Sequence, residues 1–271
     1  MAQTTGELLF EDYLRSVRVT NWLYEKLFEG SNKPPDYSIP YGPTHVLLDV
    51  KDFISDGVPL GSGAYDPYAP IRAKIHKGKE KFKDLEKFCC GLVLYNVDKP
   101  LVDLVPDFVF GAMLGNIGIS FPIGDFDEAK AIFGPGGKMI RYAKDKKTAI
   151  EPMNTTLGAL IALGHLQVGF KRFLVMEKCR EEELGRKLTW DEFHSLVESL
   201  EGTEDDISRT VLRVRVYENP YARIPFPDDL FRGPWDERYG PIGDYIGRKY
   251  AGAELVALEK LITQRGVNTR G

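Results

Sequence analysis

The chain is poor in cysteine. Cys89 and Cys90 are adjacent and Cys179 lies far away. That spacing suits neither a disulfide framework nor a zinc site, so a reducing, cytoplasmic compartment is the default expectation. Long apolar runs are also missing. No stretch approaches the roughly eighteen apolar residues of a membrane-crossing helix, and the opening MAQTTGELLF has neither the basic start nor the apolar centre of a secretory signal. Excess positive charge is absent as well. A net charge of −4 argues against a protein that coats nucleic acid over its whole surface, but it leaves room for one basic strip on an acidic body. Internal repeats and low-complexity linkers are lacking, which favours a single domain over residues 1–271.

What is present is an ordinary globular mixture: 271 residues, 43% of them hydrophobic, enough for a sizeable core. TTGELLFEDYLRSV predicts an opening helix with Leu8, Leu9, Tyr13 and Val17 inward and Thr4 or Thr5 as its cap. NWLYEKLF predicts a strand. EGSNKPPD is a turn, and YSIPYGP, with two prolines, an edge strand or a loop. HVLLDVKDF predicts a strand. A Gly- and Pro-rich loop follows, then an amphipathic helix over 71–87 with Ile71, Ile75, Gly78, Phe82 and Leu85 in one stripe. GLVLYNV reads as a short strand at the centre of a covered sheet.

Beyond Asn96 the pattern is weaker. DFVFGAMLGNIG suggests a helix and FGPGGKMIRY a hairpin turn and strand, while TTLGALIALGHL is ambiguous. Residues 170–200 are helical, with Thr189 as a cap. TVLRVRVYEN alternates like a strand, PYARIPFPDDLFRGPWDERYGP is an ordered loop, and AELVALEKLITQ is a closing helix.

The chemistry concentrates around Asp49. Side chains two apart on a strand share a face, so Leu47, Asp49 and Lys51 line one face that turns from apolar to charged along its length. A neighbouring strand beginning near Asp36 would bring a second carboxylate alongside. Two carboxylates and a lysine suit a hard divalent ion such as magnesium, which prefers oxygen ligands. A metal there polarises a phosphoryl group and lowers the pKa of a bound water.

Pro35-Asp36 followed by Asp49-Val50-Lys51, set in the order helix, three strands, helix, strand, resembles the PD-(D/E)xK nuclease superfamily. The resemblance covers roughly residues 5–110, and the segment VRVYENPYARIPFPDDLFRGPWDERYG is similar to the C-terminal part of bacterial members of that group. It implies an α/β fold: a mixed central sheet with an αβββαβ restriction-endonuclease-like core over 1–110, and an accessory α+β region over 111–271. It implies a magnesium- or manganese-dependent endonuclease acting on nucleic acid, DNA before RNA, with Asp36, Asp49 and Lys51 catalytic and Asp36 and Asp49 holding the metal, the Val50 carbonyl being a third candidate. Members often add a glutamate from the first helix. Glu11 is the choice here, Glu7 lies one turn earlier, and Glu25 is the rival. A homodimer stays open.

Residues 70–87 carry seven Lys and Arg against three acids. Lys74 and Lys81 flank the apolar stripe as candidate phosphate contacts, and Lys81 stands where the resemblance implies a polar residue near the metal. Tyr65 and Tyr68 are candidates for base stacking. FGPGGKM is not a phosphate loop, since Ile132 and Met139 occupy positions that need Gly and Ser or Thr. The four histidines have no ligand spacing. Two other readings stand beside the nuclease: a binding or scaffold protein that keeps the fold without turnover, and an unrelated enzyme housed in 111–271.

Overall fold

The structure, a computed structural model, describes residues 2–29, 31, 33–55, 66–115, 117–120, 130–133, 136–142, 150–242 and 245–267. Tyr65 lies outside them. The order of elements is α1 (Thr5–Ser16), β1 (Leu23–Tyr24), β2 (Tyr37–Tyr41), β3 (Thr44–Phe53), α2 (Ala69–Phe82), β4 (Cys89–Asn96), α3 (Pro106–Leu114), β5 (Ile117–Ser120), β6 (Lys130–Phe133), β7 (Ile140–Tyr142), β8 (Ile150–Pro152), β9 (Leu157–Gln167), α4 (Val168–Leu184), α5 (Trp190–Leu200), β10 (Thr210–Glu218), β11 (Glu237–Ile242), β12 (Tyr245–Ala251) and α6 (Ala253–Gln264). The protein is therefore α/β, with an eight-stranded sheet in the order β1-β2-β3-β4-β9-β10-β11-β12. The sheet is mixed: β1, β2 and β3 run antiparallel in sequence, while β3-β4 and β4-β9 are parallel. No helix among the described residues is long and apolar enough to cross a membrane.

The chain divides into two compact units. The first comprises 1–163, 215–230 and 238–249. Here α1 starts where Thr4 forms a capping box with Glu7: the Thr4 side chain accepts from the Glu7 N–H, and the Glu7 carboxylate accepts from the Thr4 N–H at 2.6 Å. It buries Phe10, Tyr13 and Leu14. Leu8, expected inside, is exposed, because the stripe at i, i+3 and i+4 from Phe10 contains more aromatic surface and takes the inward face.

The expected first strand shrinks to Leu23–Tyr24. Glu25 then adopts a positive φ of 48°, which leaves the extended region and stops the strand. YSIPY is an inner strand, β2, lying between β1 and β3. β1 pairs only with Tyr37 and Ser38, so among the described residues Pro40 has a strand partner on one side alone, where its missing N–H is tolerated.

Helix α2 begins at Ala69 with Pro70 in its first turn, ends at Phe82 short of the expected residue 87, and buries Ile71, Ile75, Gly78 and Phe82 as the stripe predicts. Gly78 lets the helix approach β4, since a Cβ there would stand 3.2 Å from a Leu92 methyl. That core also takes Leu47, Phe53, Leu94, Val109, Phe110 and Met113. TTLGALIALGHL resolves as strand β9, whose pairing with β4 buries Leu157–Leu163. Gly134 and Pro135 of the turn expected at FGPGGKM lie outside the described residues, and the strands on either side pair elsewhere, β6 with β5 and β7 with β8.

The second unit comprises 164–214, 231–237 and 250–271. Thr189 is the expected cap of α5 and forms a capping box with Glu192, and Gly185, at φ 66°, ends α4 in the left-handed conformation. Its small core joins Leu166, Val168, Leu255 and Leu258 to Trp235.

Candidate functional site

The register of β2 on β3 places Tyr37 opposite Leu48, so Asp36, one residue earlier, falls opposite Asp49. Strand alternation then sorts the neighbourhood by face. Leu47, Asp49, Lys51 and Phe53 point toward α2, whose apolar stripe shares a core with Leu47 and Phe53. Val50 and Asp52 point toward α1, where Gly6 approaches both side chains and the Gly6 N–H donates to Asp52 Oδ2 at 3.1 Å.

On the α2 face four charged groups meet. Asp49 is fully buried. Lys81 Nζ, arriving from the last turn of α2, donates to Asp36 Oδ1 at 2.7 Å and also to Asp49 Oδ1. Lys51 Nζ stands 2.5 Å from Asp49 Oδ2 and donates to the Val50 carbonyl at 3.1 Å. The Val50 N–H donates to Asp36 Oδ2 at 2.7 Å. Asp49 Oδ2 receives no well-directed hydrogen bond, so its contact with Lys51 is ionic alone. With a quarter of its side chain exposed, Lys51 marks the side on which the cluster meets solvent.

The two carboxyls titrate as a pair. Burial and then the charge of Asp36 push Asp49 above the usual carboxylate range, against the pull of Lys51 and Lys81. Burial works the same way on Asp36, but the hydrogen bond with Asp49 and the Lys81 ammonium outweigh it and hold Asp36 low. For Lys81, burial disfavours its charge, yet Asp49 and Asp36 together raise its pKa.

Lys74 and Lys81 end in different places, although both flank the α2 stripe. Lys74 Nζ donates to the Asp52 carbonyl at 2.8 Å and lies over the Phe53 ring. Its pKa is lowered by burial and then by the charges of Lys77, Lys51 and Lys99, against the pull of Asp52. Tyr68 packs beside Phe108 under the Arg72 guanidinium.

Glu11 is held on the other face. It accepts from Gln3, from Arg15 at 2.7 Å and from the Tyr37 hydroxyl at 3.2 Å. Tyr37 and Asp36 are consecutive in an extended segment, so Tyr37 faces α1 when Asp36 faces α2. Glu25 and Glu7 belong to the same acidic surroundings as Tyr24, whose phenol is pushed up to about 12 by burial, Glu7, Glu25, Asp36 and Glu11. Among the described residues no three His, Cys, Asp or Glu side chains stand ready around one ion. Cys89 and Cys90 open the buried strand β4, and burial raises both thiols, Cys89 to about 12, which removes them as nucleophiles.

The donor set suits a hard cation. Asp36 and Asp49 already share one positive group between them, every donor is an oxygen, and Asp49 Oδ2 keeps a lone pair that no hydrogen bond claims. Comparison of the chain with family models, with curated proteins and with solved structures finds no match.

Proposed function

We propose that the protein is a metal-dependent nuclease-like enzyme of the PD-(D/E)xK type that hydrolyses nucleic-acid phosphodiesters, DNA in preference to RNA. The observation that carries the reading is the meeting of the Asp36 and Asp49 carboxylates on one cation, with Lys51 beside them at the open side. The αβββαβ order of residues 5–96, with β1-β2-β3 antiparallel and β4 parallel to β3, supports a restriction-endonuclease-like core.

Asp36 and Asp49 would hold magnesium or manganese, which would supply polarisation of the phosphoryl group and an acidified water. Lys51 offsets the charge that develops on the phosphoryl oxygens, and its partial exposure lets a bound strand reach it. The ammoniums of Lys74 and Lys77 extend the positive surface along α2 toward a phosphate backbone.

Cleavage of labelled DNA and RNA with magnesium or manganese tests this, beside manganese calorimetry. Asp49→Asn is expected to lose both metal binding and cleavage, because an amide is a poor ligand for a hard cation. Lys51→Ala is expected to bind DNA as wild type does and to cleave roughly 10²–10⁴-fold more slowly. Cleavage unchanged in Asp49→Asn would sink the proposal.

One observation favours the scaffold reading instead. The ammoniums of Lys51 and Lys81 balance both carboxylates, as a purely structural ion cluster would. Absence of metal binding and of cleavage by the wild-type chain would decide for it.

A further inference from the structure

Resting on that reading, we propose that Lys81 is a resident cation that occupies the place of the metal between Asp36 and Asp49 and must be displaced for a divalent ion to bind.

The position of its ammonium argues for this. Lys81 Nζ touches one oxygen of each carboxylate, 2.7 Å from Asp36 Oδ1 and in closer contact with Asp49 Oδ1. A cation that bridges two carboxylates is placed where a bridging metal takes its ligands. The balance of charge argues the same way. With Lys51 already ionically paired to Asp49, Lys81 completes neutralisation of the cluster, so an incoming divalent ion meets two ammoniums as well as two carboxylates. Like charges this close inside a largely buried cluster repel strongly, and one ammonium has to leave. Lys51 touches Asp49 and the Val50 carbonyl, whereas Lys81 is the ammonium that sits on both carboxylates.

The fold gives Lys81 a way out. It lies one residue before the last residue of α2, and its side chain stays partly exposed beside the carboxylates. Its four-carbon stem swings the ammonium without moving the helix. In the metal-free state Lys81 keeps two carboxylates together that would otherwise repel, and this preorganises the ligands. The same contact sets a threshold that the metal has to overcome, so the free protein binds divalent ions weakly.

Manganese calorimetry and thermal melting of wild type, Lys81→Met, Lys81→Arg and Asp49→Asn test the inference without any substrate. Lys81→Met is expected to bind manganese at least tenfold more tightly than wild type. Without metal it is expected to melt lower, and to gain more in melting temperature when manganese is added. Lys81→Arg keeps a cation in place and is expected to stay near the wild-type affinity. If Lys81→Met does not fold, Lys81→Gln removes the same charge and carries the same expectation.

Equal or weaker manganese binding by the neutral variants, with Asp49-dependent binding intact in wild type, overturns the inference and leaves the metal site standing. Tighter binding in Lys81→Arg also overturns it, since charge would then not be the barrier. Binding by none of the proteins overturns the metal reading and the inference with it.

Discussion

Asp49 is a buried carboxyl whose neighbours decide its charge. Alone in that place it would give up its proton reluctantly, because burial disfavours the anion. Lys51 and Lys81 make the ionised form tenable. The converse holds for Lys81. Its pKa stands above that of a free lysine because of Asp49 and Asp36, so the folded state binds this proton more tightly than the unfolded chain does. The sign of the linkage follows. The stabilisation is fully present below the unfolded value of about 10.4 and is lost as pH rises through the higher folded value. Urea titrations of wild type and Lys81→Met between pH 8 and 11.5 are expected to differ by on the order of 3 kcal/mol at the lower end, the scale of a broken buried pair. The difference should narrow above pH 10.5. A gap that stays constant to pH 11.5 would show that the ammonium does not stabilise through its charge.

At the scale of the element, α2 does two jobs with two faces. Ile71, Ile75, Gly78 and Phe82 bind it to the sheet, while Lys81 turns to the carboxylates, Lys74 to the Asp52 carbonyl and Lys77 to solvent. Its two flanking lysines have separate tasks: Lys81 is committed to Asp36 and Asp49, and Lys74 sits among other ammoniums over Phe53. If that group holds a phosphate backbone, Lys74→Glu should weaken DNA binding about equally for every sequence. It should also lower the slope of log affinity against log salt by roughly one, the share of one released counterion. Fluorescence anisotropy at several salt concentrations measures both. A Lys74→Glu protein with the wild-type slope and affinity would make α2 an ordinary solvated helix.

At the scale of the whole molecule, the candidate site depends on chain far beyond residue 110. Strand β4 carries Leu92, Val93 and Leu94, all fully buried, and its second neighbour is β9. Tyr217, more than a hundred residues away, donates its hydroxyl to the Leu104 carbonyl at 2.6 Å. A fragment ending at residue 110 would leave β4 as an exposed, apolar edge, which favours association. It is expected to lack near-UV circular dichroism and to elute as aggregates in gel filtration. A monomeric fragment with a cooperative melt would show that residues 1–110 fold independently.

The sequence by itself determined the local pieces. Thr189 announced its cap and the first cap was narrowed to Thr4 or Thr5, the stripe of α2 was readable because a 3.6 period has few alternatives, and alternation across HVLLDVKDF placed Asp49 and Lys51 on one face. The Pro-Asp and Asp-Val-Lys pieces were legible as a pair only through their resemblance to the PD-(D/E)xK pattern, because the register that sets Asp36 opposite Asp49 is a property of the folded sheet. What only the tertiary structure decided is which face each helix covers and which partner each strand finds. No periodicity tells that α1 lies over Val50 and Asp52, which commits Glu11 to Tyr37 and Arg15 instead of to the aspartates. Nor does it tell that Lys81 ends between two carboxylates while Lys74, seven residues earlier, ends on a carbonyl. TTLGALIALGHL is equally apolar as helix or strand, and it became β9 because β4 pairs with it in parallel from Leu157 to Leu163, with one bulge at Gly158. These outcomes follow from long-range pairing and burial, whose energies exceed local preference and depend on chain distant in sequence.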